Sequence, residues 1–477
     1  MNPRPNILLI IPDQMRGDSL SCLGHPGVYT PNIDRLARDG VLFRRAYSTV
    51  ASCIPARYAL LTGLVPQTSG VVGFAAKPLS TPSLPGRLTD TGYATVLVGR
   101  DMHQPPESGT CGYQNTILGS TYIENDEYDR FLREEAPETG GIKKLIDDLG
   151  VTYNHWQAAP WPLADELHPT QWVVDQSLRV LERTNPDQPL FLTTSFYAPH
   201  PPLFPPKKFF DAAADRDLPD PAIGEWVKPQ PQPPDCDPIA NRVHLAGETL
   251  RAAQAGYYGA IDHIDACIGA LIEAFSTYSE KADRPWVVVF ISDHGEMLGD
   301  HDFFRKCEPY EGSANIPFIF TASADLAFAS GSKNLRPVCL EDIMPTLLQL
   351  AGAPCPDIAD GVDLSPTLQG KSQQVREWLH FEHAPCYSEE QGYHALTDGR
   401  YKYIWRTLNG TEQLFDLDKD PHEHYDLVRS AHQQVELKKW RQRLVERLTD
   451  RPEGFVREGN LVAGRDYPPL NTCKPRS

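Results

Sequence analysis

Four stretches of the chain are apolar without the polar alternation of a half-exposed strand: residues 6–12, 92–99, 189–199 and 286–292. Continuous runs of this length suit strands covered on both faces, as in a parallel sheet. Each run ends in polar residues able to do chemistry. The first leads into Asp13 and Gln14, the second into Arg100 and His103, the third into His200, and the fourth into Asp293 and His294. Ligands of open α/β sheets bind at the carboxyl ends of the strands, so these four ends are expected to converge.

Helical spacing appears elsewhere. Tyr257, Ile261, Ile264, Ile268 and Leu271 mark one face of a helix over residues 249–275. A second helix over 340–350 stops near Gly352 and Pro354. Residues 104–165 read as polar and irregular, with Tyr153, His155, Trp156 and Trp161 as candidates to line a recess. Prolines are so dense over 201–238 that regular structure is not expected there, and the segment reads as a surface excursion or an arm for a homo-oligomer. Past Gly370 the pattern changes to short strands at 378–383, 394–397, 401–405 and 414–417, with turns at Asp398-Gly399 and Asn409-Gly410. A helix over 434–448 then places Leu437, Trp440, Leu444 and Leu448 on one face. The expected architecture is α/β: a large, mostly parallel sheet flanked by helices over 1–370, and a smaller antiparallel sheet with a helix over 371–477. His380 and His383 sit an odd number of positions apart, so they face opposite sides of their strand and take structural roles.

Residues 51–63 read Ala-Ser-Cys-Ile-Pro-Ala-Arg-Tyr-Ala-Leu-Leu-Thr-Gly. Pro55 suits the first turn of a helix and Gly63 its stop. Cys53 then lies at the helix mouth, where free N–H groups and the dipole favour an anion, and one turn brings Arg57 back towards it. Asp13, Gln14, Asp293 and His294 together make an oxygen-rich donor set for a divalent cation, with Ca²⁺ first and Mn²⁺ or Mg²⁺ as alternatives.

The formal net charge of −18 disfavours nucleic acid, which needs a basic face. It fits a small or singly charged substrate drawn into a locally basic pocket. The apolar run at 7–11 is too short to span a bilayer and lacks the flanks of a signal peptide, so no membrane association is expected. Ten cysteines without a regular framework are expected as reduced thiols, in a cytoplasmic protein.

The segment Cys53-x-Pro-x-Arg57 followed by Leu-Leu-Thr-Gly resembles the activation signature of the type I sulfatases, in the alkaline phosphatase-like superfamily. Residues 292–301, Ser-Asp-His-Gly-Glu-Met-Leu-Gly-Asp-His, resemble the second metal signature of that superfamily. The resemblance implies that Cys53 is oxidised to formylglycine by a formylglycine-generating enzyme, and that Cys53 joins Asp13, Gln14, Asp293 and His294 around the cation. It implies a gem-diol nucleophile held by Arg57, sulfuryl oxygens held by Arg100 and Lys306, a leaving alcohol protonated by His200 with Lys306, and His103 as the base that opens the hemiacetal. Arg100 stands where the family has lysine, and one extra residue precedes His103. Gln14 stands where most sulfatases have a second aspartate and resembles the phosphonate monoester hydrolases and some glycosaminoglycan sulfatases. The implied substrate is therefore a carbohydrate or aryl sulfate monoester, with a phosphonate monoester or phosphodiester as the alternative.

Overall fold

The computed structural model describes residues 3–79, 81–101, 110–230 and 242–471. Among these, the main sheet contains β1 (Asn6–Asp13), β2 (Val41–Phe43), β3 (Ala94–Gly99), β4 (Asn115–Leu118), β5 (Leu190–Pro199), β6 (Trp286–Ile291), β7 (Phe318–Ala322) and β8 (Ser332–Asn334). Their order is β4-β3-β5-β1-β6-β7-β2-β8. All neighbours are parallel except β7, which runs against both β6 and β2. The four apolar runs of the sequence are β3, β5, β1 and β6, side by side at the centre.

The central strand shows why the runs are continuous. Along β1, Leu8 and Ile10 enter one core with Trp172, Ile261, Ile264 and Ile268. Ile7, Leu9 and Ile11 enter the opposite core with Ala56, Leu60, Met344 and Leu347. Both faces of the strand are covered, so both parities of its residues must be apolar. The covering helices include Pro169–Arg183 and Gly247–Lys281 on one side, and Cys53–Thr62 and Ile343–Leu350 on the other.

The smaller sheet, β9 (Leu379–His383), β10 (Tyr393–Thr397), β11 (Tyr401–Arg406) and β12 (Glu412–Asp416), is antiparallel throughout. One face packs Phe381, Tyr393, Ile404 and Phe415 on Tyr47, Met297, Phe303 and Tyr310 of the larger unit. The other face lies under Leu437, Trp440, Leu444 and Leu448 of the Gln434–Leu448 helix.

Several expectations are corrected. The stretch 104–165 holds β4 and the helices Glu127–Glu135 and Ile142–Leu149. The first is capped by Asp126, whose carboxylate accepts from Asp129 N. The proline-dense stretch contains the helix Lys207–Ala214, which Pro206 precedes and so does not break. Trp156 packs on Phe304, and Trp161 is buried against His168 and Phe204. Among the described residues no helix is long and apolar enough to cross a membrane, and eight cysteines, Cys53 included, are free thiols.

Buried imidazoles give the fold a measurable acid sensitivity. His168 accepts from Thr170 N at 3.1 Å through Nδ1 and donates from Nε2 to Phe204 O at 3.2 Å. Burial pushes it down to about 3, against ~6.5 in an unfolded chain. Between those values the unfolded chain binds the extra proton, so this contribution is complete above ~6.5 and is lost as pH falls towards 3. Replacing His168 with Gln should therefore flatten the fall in melting temperature between pH 7 and pH 4.5. Parallel melting curves for the two proteins across that interval would contradict the assignment.

Candidate active site

The site is assembled from strand tips and one helix mouth. The helix Cys53–Thr62 begins two residues before Pro55, with Ser52 extended ahead of it at φ −156° and ψ 156°. Proline is tolerated throughout a first turn whose N–H groups have no intrahelical partner, so Cys53 itself is the first helical residue. Gly63 closes the helix in the left-handed region at φ 67°, donating to Ala59 O.

Cys53 is fully buried, and its Sγ lies 3.2 Å from His294 Nε2, 3.1 Å from Lys306 Nζ and 3.7 Å from Asp13 Oδ1. Ligand atoms of Asp13, Cys53, Asp293 and His294 all lie within 4.8 Å of one another. Each carboxylate divides its oxygens. Asp13 Oδ2 faces Arg57 at 3.0 Å and Arg100 Nε at 3.0 Å, leaving Oδ1 towards Cys53. Asp293 Oδ2 accepts from Arg57 Nε at 2.9 Å, and Oδ1 accepts from the backbone of Gln14 and His294. His294 Nδ1 donates to Gly295 O at 2.9 Å, so Nε2 is the nitrogen that faces Cys53. Burial opposes the charged ring, but Asp293 and Cys53 outweigh it and raise the imidazole's pKa, and a bound cation would take its neutral form at Nε2. Two carboxylates and an oriented imidazole fit a divalent cation.

Gln14 adopts φ 67°. Its Nε2 donates to Glu296, and Oε1 accepts from Lys306 Nζ at 2.9 Å. Glu296 thereby fixes which end of the amide faces the site. Lys306 Nζ is also 2.7 Å from His200 Nε2. Because His200 Nδ1 donates to Pro201 O at 2.6 Å, Nε2 is the acceptor and the shared proton resides on Lys306. Burial, then Lys306 and Arg100, lower His200 well below its ordinary value, consistent with a neutral ring.

Charge at the centre is balanced by opposing causes. Burial works against ionising Asp293, but His294, Arg57 and Arg100 outweigh it and hold the carboxyl well below the usual range. Burial and Asp13 push the Cys53 thiol up, and Lys306, Arg100 and His294 more than cancel them. Three fixed cations, Arg57, Arg100 and Lys306, thus stand around two aspartates inside a chain of net charge −18, the locally basic pocket expected from the sequence.

Of the ten residues singled out in the sequence, nine converge here: Asp13, Gln14, Cys53, Arg57, Arg100, His200, Asp293, His294 and Lys306. His103 lies outside the described residues. Others went unforeseen. Ser195 on β5 accepts from Arg57 at 3.0 Å. His383 faces the loop that precedes Cys53, its Nε2 accepting from Ser52 Oγ at 2.8 Å while Nδ1 donates to Ala384 O at 2.5 Å. His380 points the other way, as the parity of its strand requires, and with Glu382 and His394 forms a second compact group. That group is buried among hydrogen bonds that engage every member, although His394 Nε2 is left without a hydrogen-bond partner. Arg451 and Tyr467 occupy the Glu382 oxygens. Arg447 Nε donates to His380 Nδ1 at 3.4 Å, which puts the His380 proton on the Nε2 that faces His394.

Residues 5–353 match the family described as Sulfatase, and residues 299–451 match the one described as N-sulphoglucosamine sulphohydrolase, C-terminal. The chain belongs to the sulfatase family. It is 36% identical over 492 aligned residues to an arylsulfatase of Clostridium perfringens, covering 99% of both chains. It is 27% identical to a choline-sulfatase of Rhizobium meliloti, over 97% of this chain and 86% of that one. Among solved structures, the phosphonate monoester hydrolase of Agrobacterium radiobacter superposes with a TM-score of 0.77 at 24% identity, covering 93% of this chain and 95% of that one. A structure in complex with D-glucosamine-2-N,6-O-disulfate gives 0.73 at 19%, over 94% and 98%. At those identities the structural likenesses speak for the fold, a large mixed sheet flanked by helices with a small antiparallel sheet. This sulfatase is a sulfuric ester hydrolase, and its family implies a divalent metal and formylglycine.

Proposed function

We propose that this sulfatase hydrolyses the sulfate monoester of a small phenol or alcohol, with position 53 as nucleophile, and that its cation is Ca²⁺. The observation that carries the reading is the meeting of Cys53 with Asp13, Asp293 and His294 from two strand tips, under Lys306. Ca²⁺ is supported by the predominance of oxygen donors, Asp13, Asp293 and Gln14, with His294 alone favouring Mn²⁺. When bound, the cation supplies a Lewis acid and the hydrated aldehyde at position 53 supplies the attacking hydroxyl.

The protein's own side chains account for the rest. Asp13, Asp293, His294 and Gln14 would hold the cation, and Arg57 keeps the two carboxylates in place. Arg100 and Lys306 neutralise the sulfuryl oxygens as charge moves to the leaving group. Lys306 carries the proton that the departing oxygen needs, and the neutral His200 ring orients the ammonium by accepting one of its N–H groups. This refines the expectation of His200 as donor, since the hydrogen bond to Pro201 leaves its Nε2 without a proton to give. His103 keeps the role of base on the resemblance alone.

Aryl sulfates are favoured by the 36% identical arylsulfatase and by the rings of Tyr122 and Tyr197 beside Arg100. The phosphonate monoester reading rests on Gln14 and draws support from the resemblance in fold to phosphonate monoester hydrolases. Mass spectrometry of the tryptic peptide 46–57 from a host with the maturation enzyme should find the aldehyde in place of the thiol. Side-by-side turnover of 4-nitrophenyl sulfate and an aryl phosphonate ester should favour the sulfate. An unmodified thiol in an active preparation, or a faster phosphonate reaction, would overturn the corresponding part. Stripping with a chelator should abolish turnover, and Ca²⁺ should restore more of it than Mn²⁺ or Mg²⁺ if the ion is assigned correctly.

A further inference from the structure

Arg100 occupies a position where an ammonium would need no particular orientation, because a point charge attracts anions from any side. A guanidinium is a planar fork, and its value depends on where its edge points. The structure holds that plane from two directions. Arg100 Nε lies 3.0 Å from Asp13 Oδ2, an ion pair that draws the guanidinium towards that carboxylate. The rings of Tyr197 and Tyr122 lie 4.7 and 5.3 Å from its central carbon, covering the guanidinium.

Tyr197 does more than cover Arg100. Its ring centroid is 4.8 Å from that of His200, three residues further on, at an interplanar angle of 55°. Tyr122 at 5.5 Å and Tyr153 at 6.4 Å brace the same ring, and Tyr197 is 8% exposed. One rigid side chain therefore touches both the cation assigned to the sulfuryl oxygens and the imidazole paired with Lys306.

We propose that Tyr197 is a positioning residue that fixes the spacing between Arg100 and the Lys306–His200 pair, coupling sulfuryl recognition to leaving-group protonation through the face of its ring. The proposal rests on the roles given to those residues above. What matters is the aromatic face and not the hydroxyl. An aliphatic residue of similar volume fills the space but offers Arg100 no π surface and His200 no flat wall. Both partners then drift, and each drift has its own kinetic signature. A misplaced arginine weakens binding of the sulfuryl group, whereas a misplaced imidazole harms substrates whose leaving oxygen needs its proton early.

The test compares Tyr197→Phe, Tyr197→Leu and Tyr197→Met, each purified with formylglycine and metal. Readouts are kcat/KM for phenyl sulfate, a poor leaving group, and 4-nitrophenyl sulfate, a good one, together with competitive inhibition by inorganic sulfate. In the Leu and Met variants the phenyl substrate should lose about 10-fold more than the nitrophenyl substrate. The inhibition constant for sulfate should rise about 10-fold. The Phe variant should keep the wild-type ratio of the two substrates. In an Arg100→Lys background the Leu substitution should no longer weaken sulfate inhibition. Equal losses on both substrates with unchanged sulfate inhibition would reduce Tyr197 to packing, and a Phe variant as impaired as Leu would move the role to the hydroxyl. Either overturns the proposal. Met serves if Leu does not fold. Wild-type enzyme that turns over no aryl sulfate would sink the underlying reading and this one with it, whereas active wild type with unmoved ratios sinks this one alone.

Discussion

Cys53→Ala should show no sustained aryl sulfate turnover, a loss on the order of 10⁴-fold or more, while Cys53→Ser should release one equivalent of phenol and stop. Alanine removes the attacking atom and disturbs little else, because the Arg57 ties to Asp13 and Asp293 do not pass through position 53. Serine restores a single hydroxyl beside His294 and Lys306. That hydroxyl can take the sulfuryl group, but having no second hydroxyl on the same carbon it cannot expel sulfate by collapsing to an aldehyde. The expected readout is a nitrophenol burst equal to the enzyme concentration, followed by a stable sulfate adduct on peptide 46–57. Sustained turnover by the serine variant near the wild-type rate would mean that the aldehyde is not what releases sulfate.

Asp13, Gln14, Arg100, His200, Asp293 and His294 were readable because each stands at the end of a strand buried on both faces, and such strands advertise themselves as unbroken apolar runs. Asp13 and Asp293 lie some 280 positions apart in sequence, yet β1 pairs directly with β6, with Ile10 opposite Phe290. Polar residues just past matched strand ends had to meet. The helices at Glu127–Glu135 and Ile142–Leu149 were less legible, since each buries only three residues and, apart from Phe131 and Leu149, the rest of its surface is charged. The first carries a signal in its cap, Asp126 followed three positions on by Asp129.

His383 shows another limit. Strand parity separated it correctly from His380, but parity cannot say what covers the opposite face. That face meets the loop before Cys53, where Glu382 N donates to Thr49 O at 2.9 Å and His383 reaches Ser52. Glu296 was visible within the 292–301 signature, but its job depends on the left-handed backbone at Gln14, which turns the amide towards it. Such second-layer partners are set by local backbone geometry that residue spacing does not encode.

Arg57→Leu should be the most damaging substitution for the fold as well as for catalysis. This one side chain, 5% exposed, donates to Asp13, Asp293, Ser195 and the carbonyl of Arg100. Those acceptors sit on or just beyond β1, β6, β5 and β3, the four adjacent central strands, so the guanidinium ties their tips together. Leucine removes the counter-ion that two aspartates of zero exposure share, leaving Arg100 beside Asp13 and no arginine on Asp293 Oδ2, and breaking a buried pair in this way costs ~3–5 kcal/mol. Arg57→Lys should recover little of that, because a single ammonium cannot span acceptors arranged around a planar fork. A bound divalent cation would offset part of the lost charge, so the melting temperature of Arg57→Leu should depend on added Ca²⁺ more steeply than that of the wild type. Melting curves with and without chelator measure this directly. If Arg57→Leu melts within a degree or two of wild type when stripped of metal, the aspartates are not ionised in the metal-free fold and the arrangement of charge described here is wrong.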